Sequence, residues 1–354
     1  MKTMPSLLAP AGNMRALQTA LRFGADAVYC GAKQYGLRAQ ANNFDEKQLE
    51  EGVRLAHEAG AQVNLTLNIF AFDGDLDGMV RTAQRARDIG VDAAIVSDLG
   101  AIARIAREVP GLDVHVSTQA STTNSESARV YKALGAKRVV LARELPAEEI
   151  AHICKKSPVE IEVFVHGALC MCYSGQCYMS AVIGRRSGNR GQCAQPCRMR
   201  FEWNGREAAW LSLKDLCAYP ALPELWDAGV CSLKVEGRLK SPEYVAVVTE
   251  GYRRALDDLA AGRFDPEDPA PMEKLRQIFN RGGFTRGHAG GAEDAAMCAP
   301  ERVSHEGLPL GTITSVRGNL ARVRLIRPLH DGVIGDCEVT EVMLKYFVRK
   351  ALGN

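Results

Sequence analysis

The stretch Ser125-Glu-Ser-Ala-Arg-Val-Tyr-Lys-Ala-Leu-Gly135-Ala-Lys-Arg-Val-Val-Leu-Ala142 contains one complete unit of this chain's architecture. Its first part reads as a helix over residues 125–134. Gly135 stands where a left-handed cap ends a helix. Residues 138–142 form a short apolar run that reads as a buried strand. The same junction recurs at Gly24-Ala-Asp-Ala-Val, Gly60-Ala-Gln-Val, Gly90-Val-Asp-Ala-Ala and Gly229-Val-Cys-Ser-Leu.

The flanking sequence continues the alternation. Strands are predicted at residues 6–9, 27–30, 62–68, 93–97, 113–117, 138–142, 160–166 and 232–235. Helices are predicted at 13–23, 46–59, 76–88, 99–108, 125–134, 146–155, 213–228 and 242–261. Strands alternating with helices imply a parallel sheet, and eight units over about 250 residues are the size of a closed barrel. The expected fold class is α/β, a (β/α)8 TIM-like barrel. An open doubly wound sheet is the alternative, but it has no fixed repeat count. The barrel is expected over residues 1–262, with a cysteine-rich insertion at 167–210 after the seventh strand. Residues 263–306 read as a connector, with a short helix at 271–280 and a glycine-rich segment. Residues 307–354 read as a small all-β domain, with strands at 311–316, 320–326 and 335–340.

Hydrophobic residues make up 46% of the chain and charged residues 24%, as in ordinary soluble proteins. A net charge of +2 requires any nucleic-acid affinity to come from a local patch. No stretch approaches the roughly 20 apolar residues that span a bilayer, and the first residues lack a signal-peptide pattern. The expected address is cytoplasmic. Thiols stay reduced there, so the eleven cysteines are not read as a disulfide framework. Clustered cysteines in that setting point to metal or catalysis.

Five cysteines cluster in the insertion: Cys170, Cys172, Cys177, Cys193 and Cys197. Thiolates are soft donors suited to iron–sulfur clusters, zinc and Cu(I). Four thiolates complete such a site, and Cys170, Cys177, Cys193 and Cys197 are the chosen set. Cys172 is a spare, and Cys231 a minor candidate. A structural zinc would use the same set, and buried free thiols are the third reading.

Barrel active sites gather at the C-terminal ends of the strands. Catalytic candidates there are His166, suited to proton transfer near neutral pH, Gln119 and Glu236. Gln119 also reads as part of a helix cap. Arg38, Arg143, Lys234 and Arg238 are the candidates for binding substrate, since arginine forks match carboxylate and phosphate. Salt bridges to barrel carboxylates are the competing use. Arg185, Arg186, Arg190, Arg198 and Arg200, with Tyr178, Phe201 and Trp203 close by, form a pattern suited to tracking phosphates and stacking bases of RNA. A solvated loop that offsets an anionic cluster is the other reading.

The run from Glu162 to Ser180, with Gly167-Ala-Leu-Cys170 and Gly175-Gln-Cys177, resembles the signature of the U-32 family of collagenase-like peptidases. Leu8-Ala-Pro-Ala-Gly12, His115-Val-Ser-Thr-Gln119 and Ser232-Leu-Lys-Val-Glu236-Gly-Arg238 resemble its other blocks, and the resemblance covers roughly residues 5 to 290. It implies a 4Fe–4S protein of oxygen-independent hydroxylation. One branch acts on tRNA uridine or ribosomal RNA cytidine and depends on prephenate, a small dicarboxylate co-substrate. Another works as a pair in quinone synthesis. Cys193-x-x-x-Cys197 and His166 resemble the RNA branch. The large C-terminal extension of the ribosomal RNA enzymes has no counterpart here.

A peptidase and a partner-dependent quinone-biosynthesis subunit are the alternatives. Neither His57-Glu58 nor His305-Glu306 completes a two-histidine zinc motif, and no Gly-x-Ser-x-Gly elbow is present. A Cys170–His166 pair is the nucleophile arrangement that the sequence offers. On this reading Cys193→Ala removes most of the bound iron while Cys337→Ala does not. Iron analysis of the two variants decides the ligand choice, and equal iron in both refutes it.

Overall fold

The computed structural model describes residues 3–38, 42–291, 295–305, 311–317 and 320–325. The chain divides into two compact units, Met1–Glu306 and Gly307–Asn354. In the first unit β1 (Ser6–Pro10), α1 (Met14–Arg22), β2 (Ala27–Gly31), α2 (Glu46–Glu58), β3 (Gln62–Leu67), α3 (Asp73–Ile89) and β4 (Ala93–Val96) follow in order. Then come α4 (Leu99–Glu108), β5 (Asp113–Val116), α5 (Ser125–Ala133), β6 (Arg138–Val140), α6 (Ala147–Lys156) and β7 (Glu160–Ala168). The insertion carries α7 (Met179–Gly184), β8 (Phe201–Trp203) and β9 (Arg206–Ala208). After it come β10 (Asp215–Cys217), α8 (Leu222–Ala228), β11 (Ser232–Val235), α9 (Pro242–Ala260), α10 (Pro269–Ile278) and β12 (Phe284–Thr285).

Strands β1 to β7 pair in parallel in sequence order, and β11 pairs in parallel with both β7 and β1. The ring is closed, as the repeat count requires. Alternation divides each strand between two environments. Leu7, Ala9, Val28, Val63 and Leu65 join the large core between strands and helices, whereas Leu8, Ala27, Tyr29 and Ile95 form a separate cluster on the inner face. Gly135, at the junction that defines the repeat, has φ +96, and a Cβ there would lie 2.6 Å from that of Ala106. Glycine is required at that turn by both conformation and space.

Polar residues that follow the strands cap the next helices. Asn13, Asp45, Asp98, Asn124 and Ser241 each accept a backbone N–H from the first turn. Helix α3 begins at Asp73, earlier than predicted, because Asp75 accepts the Phe72 N–H at 2.8 Å and stabilises an extra first turn. The helix expected at 213–228 is reduced to α8. Pro220 and Pro223 interrupt the run, and the residues before them form β10, antiparallel to the end of β7, with Leu216 opposite Gly167. Segment 263–306 is built into the first unit: Leu275 of α10 is buried in the main core, and β12 pairs with β10. In the second unit β13 (Gly311–Arg317) and β14 (Leu320–Leu325) form an antiparallel hairpin. The strand expected at 335–340 lies outside the described residues.

The inner face also holds charge. Glu162 is fully buried, accepts from Lys234 Nζ at 2.9 Å and faces Arg138 at 3.3 Å. Burial alone would raise its carboxyl, but Lys234 and Arg138 together outweigh that and hold it at about 2. His115 beside them is pushed down to about 3 by burial and then by Arg138. Glu162→Gln leaves buried Lys234 without its carboxylate and Arg138 with Glu160 alone, and we expect a loss of about 3–5 kcal/mol in urea unfolding at pH 7. The wild-type carboxylate contributes its stability above an unfolded pKa of about 4.3, and that contribution disappears as pH falls towards 2. Matching urea midpoints for variant and wild type would rule out this role.

Candidate functional site

A cavity opens at the C-terminal ends of the barrel strands, beneath the insertion. Arg38, Gln119, Arg143, Lys234, Glu236 and Arg238 line it together with Cys170, Cys177 and Cys193. Tyr29, Thr66, Asn68, Ser117 and Phe164 complete the barrel side. The mouth thus brings together all four cations chosen from the sequence for substrate binding, two of the three catalytic candidates, and three of the four proposed cysteine ligands.

The charges are unequally partnered. Arg38 reaches Glu236 at 3.0 Å. Burial would raise the Glu236 carboxyl, but Arg38, Arg143 and Arg238 outweigh it, and the group is held below the usual range. Lys234 is tied to Glu162 at the cavity base, over the rings of Tyr29 and Phe164. Arg238, only 5% exposed, donates to Thr66 Oγ1 at 3.0 Å. Arg143 donates to the Ala168 carbonyl at 2.8 Å and to Ser174 Oγ at 2.7 Å, and its Nε is buried without a partner. Neither Arg143 nor Arg238 has a carboxylate at ion-pair distance among the described residues. One half-buried and one buried guanidinium group, each with neutral partners, leave a positive field suited to an anion.

Gln119 sits on a short 3₁₀ turn after β5, where its backbone N–H bonds Ser117 Oγ at 3.3 Å. The insertion closes tightly over this turn. Gly175 has φ +85, and a Cβ there would fall 2.0 Å from the Gln119 carbonyl oxygen. Ser121 Oγ also donates to the Ser174 carbonyl. Ser174 and Ser180 were missed as site residues. Ser180 Oγ accepts the Ala194 N–H at 3.1 Å and lies 3.9 Å from Cys193 Sγ, so it couples two cysteine segments. The signal available for it was a hydroxyl residue placed between cysteines.

His166 is not at the mouth. Strict alternation from Glu162 through Phe164 would turn it inward, but the register slips between Lys234 and Val235 of β11, opposite Phe164 and His166. The bulge turns His166 outward, where it is 1% exposed, 3.4 Å from Tyr252 Oη and packed against Tyr244 and Phe284. Burial pushes its imidazole down to about 3. Because Cys170 faces the cavity and His166 does not, the Cys–His pair is not assembled.

Cys170, Cys177 and Cys193 face one cavity, and Cys172 and Cys197 each feel three other insertion cysteines. The Cys197 thiol is raised by burial against the pull of Arg198, and further by Cys170, Cys193 and Cys177. The Cys172 thiol is raised by burial and by Cys177, Cys170 and Cys197. The Gln195 N–H donates to Cys193 Sγ at 3.4 Å. Among the described residues no three His, Cys, Asp or Glu side chains converge at metal-binding geometry. The donor set fits a soft, sulfur-ligated group in its chemistry. Cys231 is remote from it, bonding the Ile161 carbonyl at the opposite end of the barrel.

The arginines of the insertion separate into two groups. Arg190 bonds Asp75 and the Phe70 carbonyl, each at 2.7 Å, and covers the Phe72 ring. Arg198 donates to the Leu169 and Leu213 carbonyls and to Ser212. Both are engaged with the protein. Arg185 and Arg186 are exposed and form no ion pair among the described residues. Arg200 is exposed; it donates to the Glu207 carbonyl at 2.8 Å and lies 3.6 Å from the Glu207 carboxylate. Tyr178 and Trp203 are 68% and 63% exposed on the same insertion, while Phe201 is half-buried.

Residues 12–298 match the family model described as Peptidase family U32. The chain is 41% identical over 294 residues to the tRNA hydroxylation protein P1 of Bacillus subtilis (strain 168), covering 78% of this chain and 69% of the relative. It is 35% identical over 343 residues to the 23S rRNA 5-hydroxycytidine C2501 synthase of Escherichia coli (strain K12), covering 92% of this chain and 51% of the relative. A third relative, named collagenase, from Porphyromonas gingivalis (strain ATCC BAA-308 / W83), is 36% identical over 298 residues, covering 78% of this chain and 71% of its own.

The buried histidine generates a pH prediction. The fold keeps His166 neutral down to about 3, whereas an unfolded histidine takes up its proton near 6.5. Stability is therefore complete above pH 6.5 and falls below it, by up to about 1.4 kcal/mol per pH unit for one such histidine. His166→Gln should remove one histidine's share of that slope in urea unfolding measured from pH 7 to pH 4. An unchanged slope would show that His166 titrates freely.

Proposed function

The chain belongs to peptidase family U32, and on that premise we propose that it is an iron–sulfur enzyme of oxygen-independent RNA base hydroxylation. The observation that carries the reading is the shared cavity. Three cysteines of the insertion and four cationic side chains of the barrel face the same space. A proteolytic site has no need of that pairing, whereas a redox hydroxylation with an anionic co-substrate does. The names of the relatives from Bacillus subtilis and Escherichia coli support RNA as the substrate.

In this reading Cys170, Cys177, Cys193 and Cys197 hold a 4Fe–4S cluster, with zinc on the same ligands as the alternative. When bound, such a cluster supplies one-electron chemistry. Arg143 and Arg238 receive the two carboxylates of a small dicarboxylate such as prephenate, with Arg38 and Lys234 at the sides. Glu236 keeps Arg38 oriented. Gln119, at the rim under Gly175, offers a donor and an acceptor to a base edge. Arg185, Arg186 and Arg200 attract the phosphate backbone, and Tyr178 and Trp203 offer stacking surfaces for an unstacked base. No helix among the described residues is long and apolar enough to cross a membrane, which is consistent with the cytoplasmic address where RNA is met.

Anaerobic purification with iron, sulfide and zinc analysis is the first half of the test. The second is nucleoside profiling of tRNA and rRNA from cells expressing the wild type or Cys193→Ala. We expect a brown wild-type protein with about four irons and four sulfides per chain, and a hydroxylated nucleoside that the variant does not produce. A colourless protein with one zinc and identical nucleoside profiles would overturn the proposal.

A further inference from the structure

Arg198 lies between the two ends of the insertion. Its NH2 group donates to the Leu169 carbonyl at 3.0 Å. Its NH1 group donates to Ser212 Oγ at 2.9 Å and to the Leu213 carbonyl. Leu169 directly precedes Cys170, and Arg198 directly follows Cys197. One planar side chain therefore ties the segment that delivers the first proposed ligand to the segment that delivers the last.

The acceptors are themselves anchored. Leu169 and Leu213 pack with Leu216 and Met297 in a buried apolar cluster of their own. Ser212 donates to the Arg302 carbonyl at 2.8 Å, and its own carbonyl accepts the Ala299 N–H at 2.6 Å. The guanidinium thus docks on a rigid base rather than on mobile loop. Its charge also sits on the residue next to a proposed ligand, Cys197. Arg143 and Arg190 brace the insertion as well, but each holds a single stretch of it against the barrel loops.

Resting on the reading that these cysteines hold a metal group, we propose that Arg198 is a positioning residue for it. Arg198 fixes Cys197 against Cys170 and supplies the positive charge that offsets the sulfur ligands. Outer partners of this kind tune metal affinity by about 10–100-fold, and charge beside an iron–sulfur cluster shifts its potential. Lysine retains the charge but cannot bridge acceptors on two segments, because a single ammonium lacks the guanidinium fork. Glutamine removes the charge as well.

The test compares wild type, Arg198→Lys and Arg198→Gln, with circular dichroism to verify the barrel. Cadmium titration, followed by thiolate-to-metal absorbance, reports the placement of the sulfurs whatever metal the protein holds in the cell. Both variants should bind cadmium about 10–100-fold more weakly than wild type. After anaerobic iron–sulfur reconstitution, Arg198→Gln should show a more negative midpoint potential than wild type, and Arg198→Lys a value close to wild type. Equal cadmium affinity and equal potentials in all three proteins would overturn the proposal. If wild type takes up cadmium but no iron and sulfide, the hydroxylase reading fails, while weakened cadmium binding by the variants would still support Arg198 in its positioning role.

Discussion

The charged interior depends on one carboxylate. Glu162 lies within the barrel wall, between Arg138 on β6 and Lys234 on β11. β11 is the strand that closes the ring, so this pairing ties β7 to the closing strand. A lysine buried without it would incur a desolvation cost of several kcal/mol, while Arg138 would keep only Glu160. With it, Lys234 can stand at the base of the cavity as a fixed cation, and the anion-seeking arginines above can be organised by Glu236 and by an incoming ligand. The network is better understood as fixing a geometry than as adding stability, since buried ion pairs are weak sources of net stability.

Much of this was legible because the repeat is regular. A glycine at most helix-to-strand junctions, with short apolar runs after it, sets the number of strands, and the mouth residues then follow from their positions just past the strand ends. Arg143 and Arg238 were found in this way, and both face the cavity. Failures came where the backbone departs from a simple period. His166 was lost to a bulge that no residue type announces. The strand β10 was read as helix because Leu213, Leu216 and Cys217 also fit a helical spacing, and only its pairing with β7 decides between the two. Arg190 and Arg198 counted as surface charge because sequence does not show which arginines turn inward to satisfy loop carbonyls. An irregular loop has many such carbonyls, and arginine, with five donors, is well suited to collecting them.

The insertion accordingly has a division of labour. Arg190 and Arg198 use their donors within the protein, which gives an irregular segment the definition that a helix or sheet would otherwise supply. Arg185 and Arg186 keep theirs for solvent or a partner, next to exposed Tyr178. Cysteines gathered by such bracing reach a ligand arrangement at smaller entropic cost than cysteines on a free loop.

The antiparallel return of β10 along the end of β7 has an evolutionary consequence. Because residues 215–217 lie directly against 166–168, the polypeptide leaves the barrel and re-enters it at nearly the same point. The lobe between them is closed at its neck, and the entropy of closing such a loop grows only slowly with its length. Residues can be gained or lost in the lobe, and new recognition surfaces grown on it, without moving a barrel strand. One scaffold can then serve a succession of substrates by exchanging a cassette.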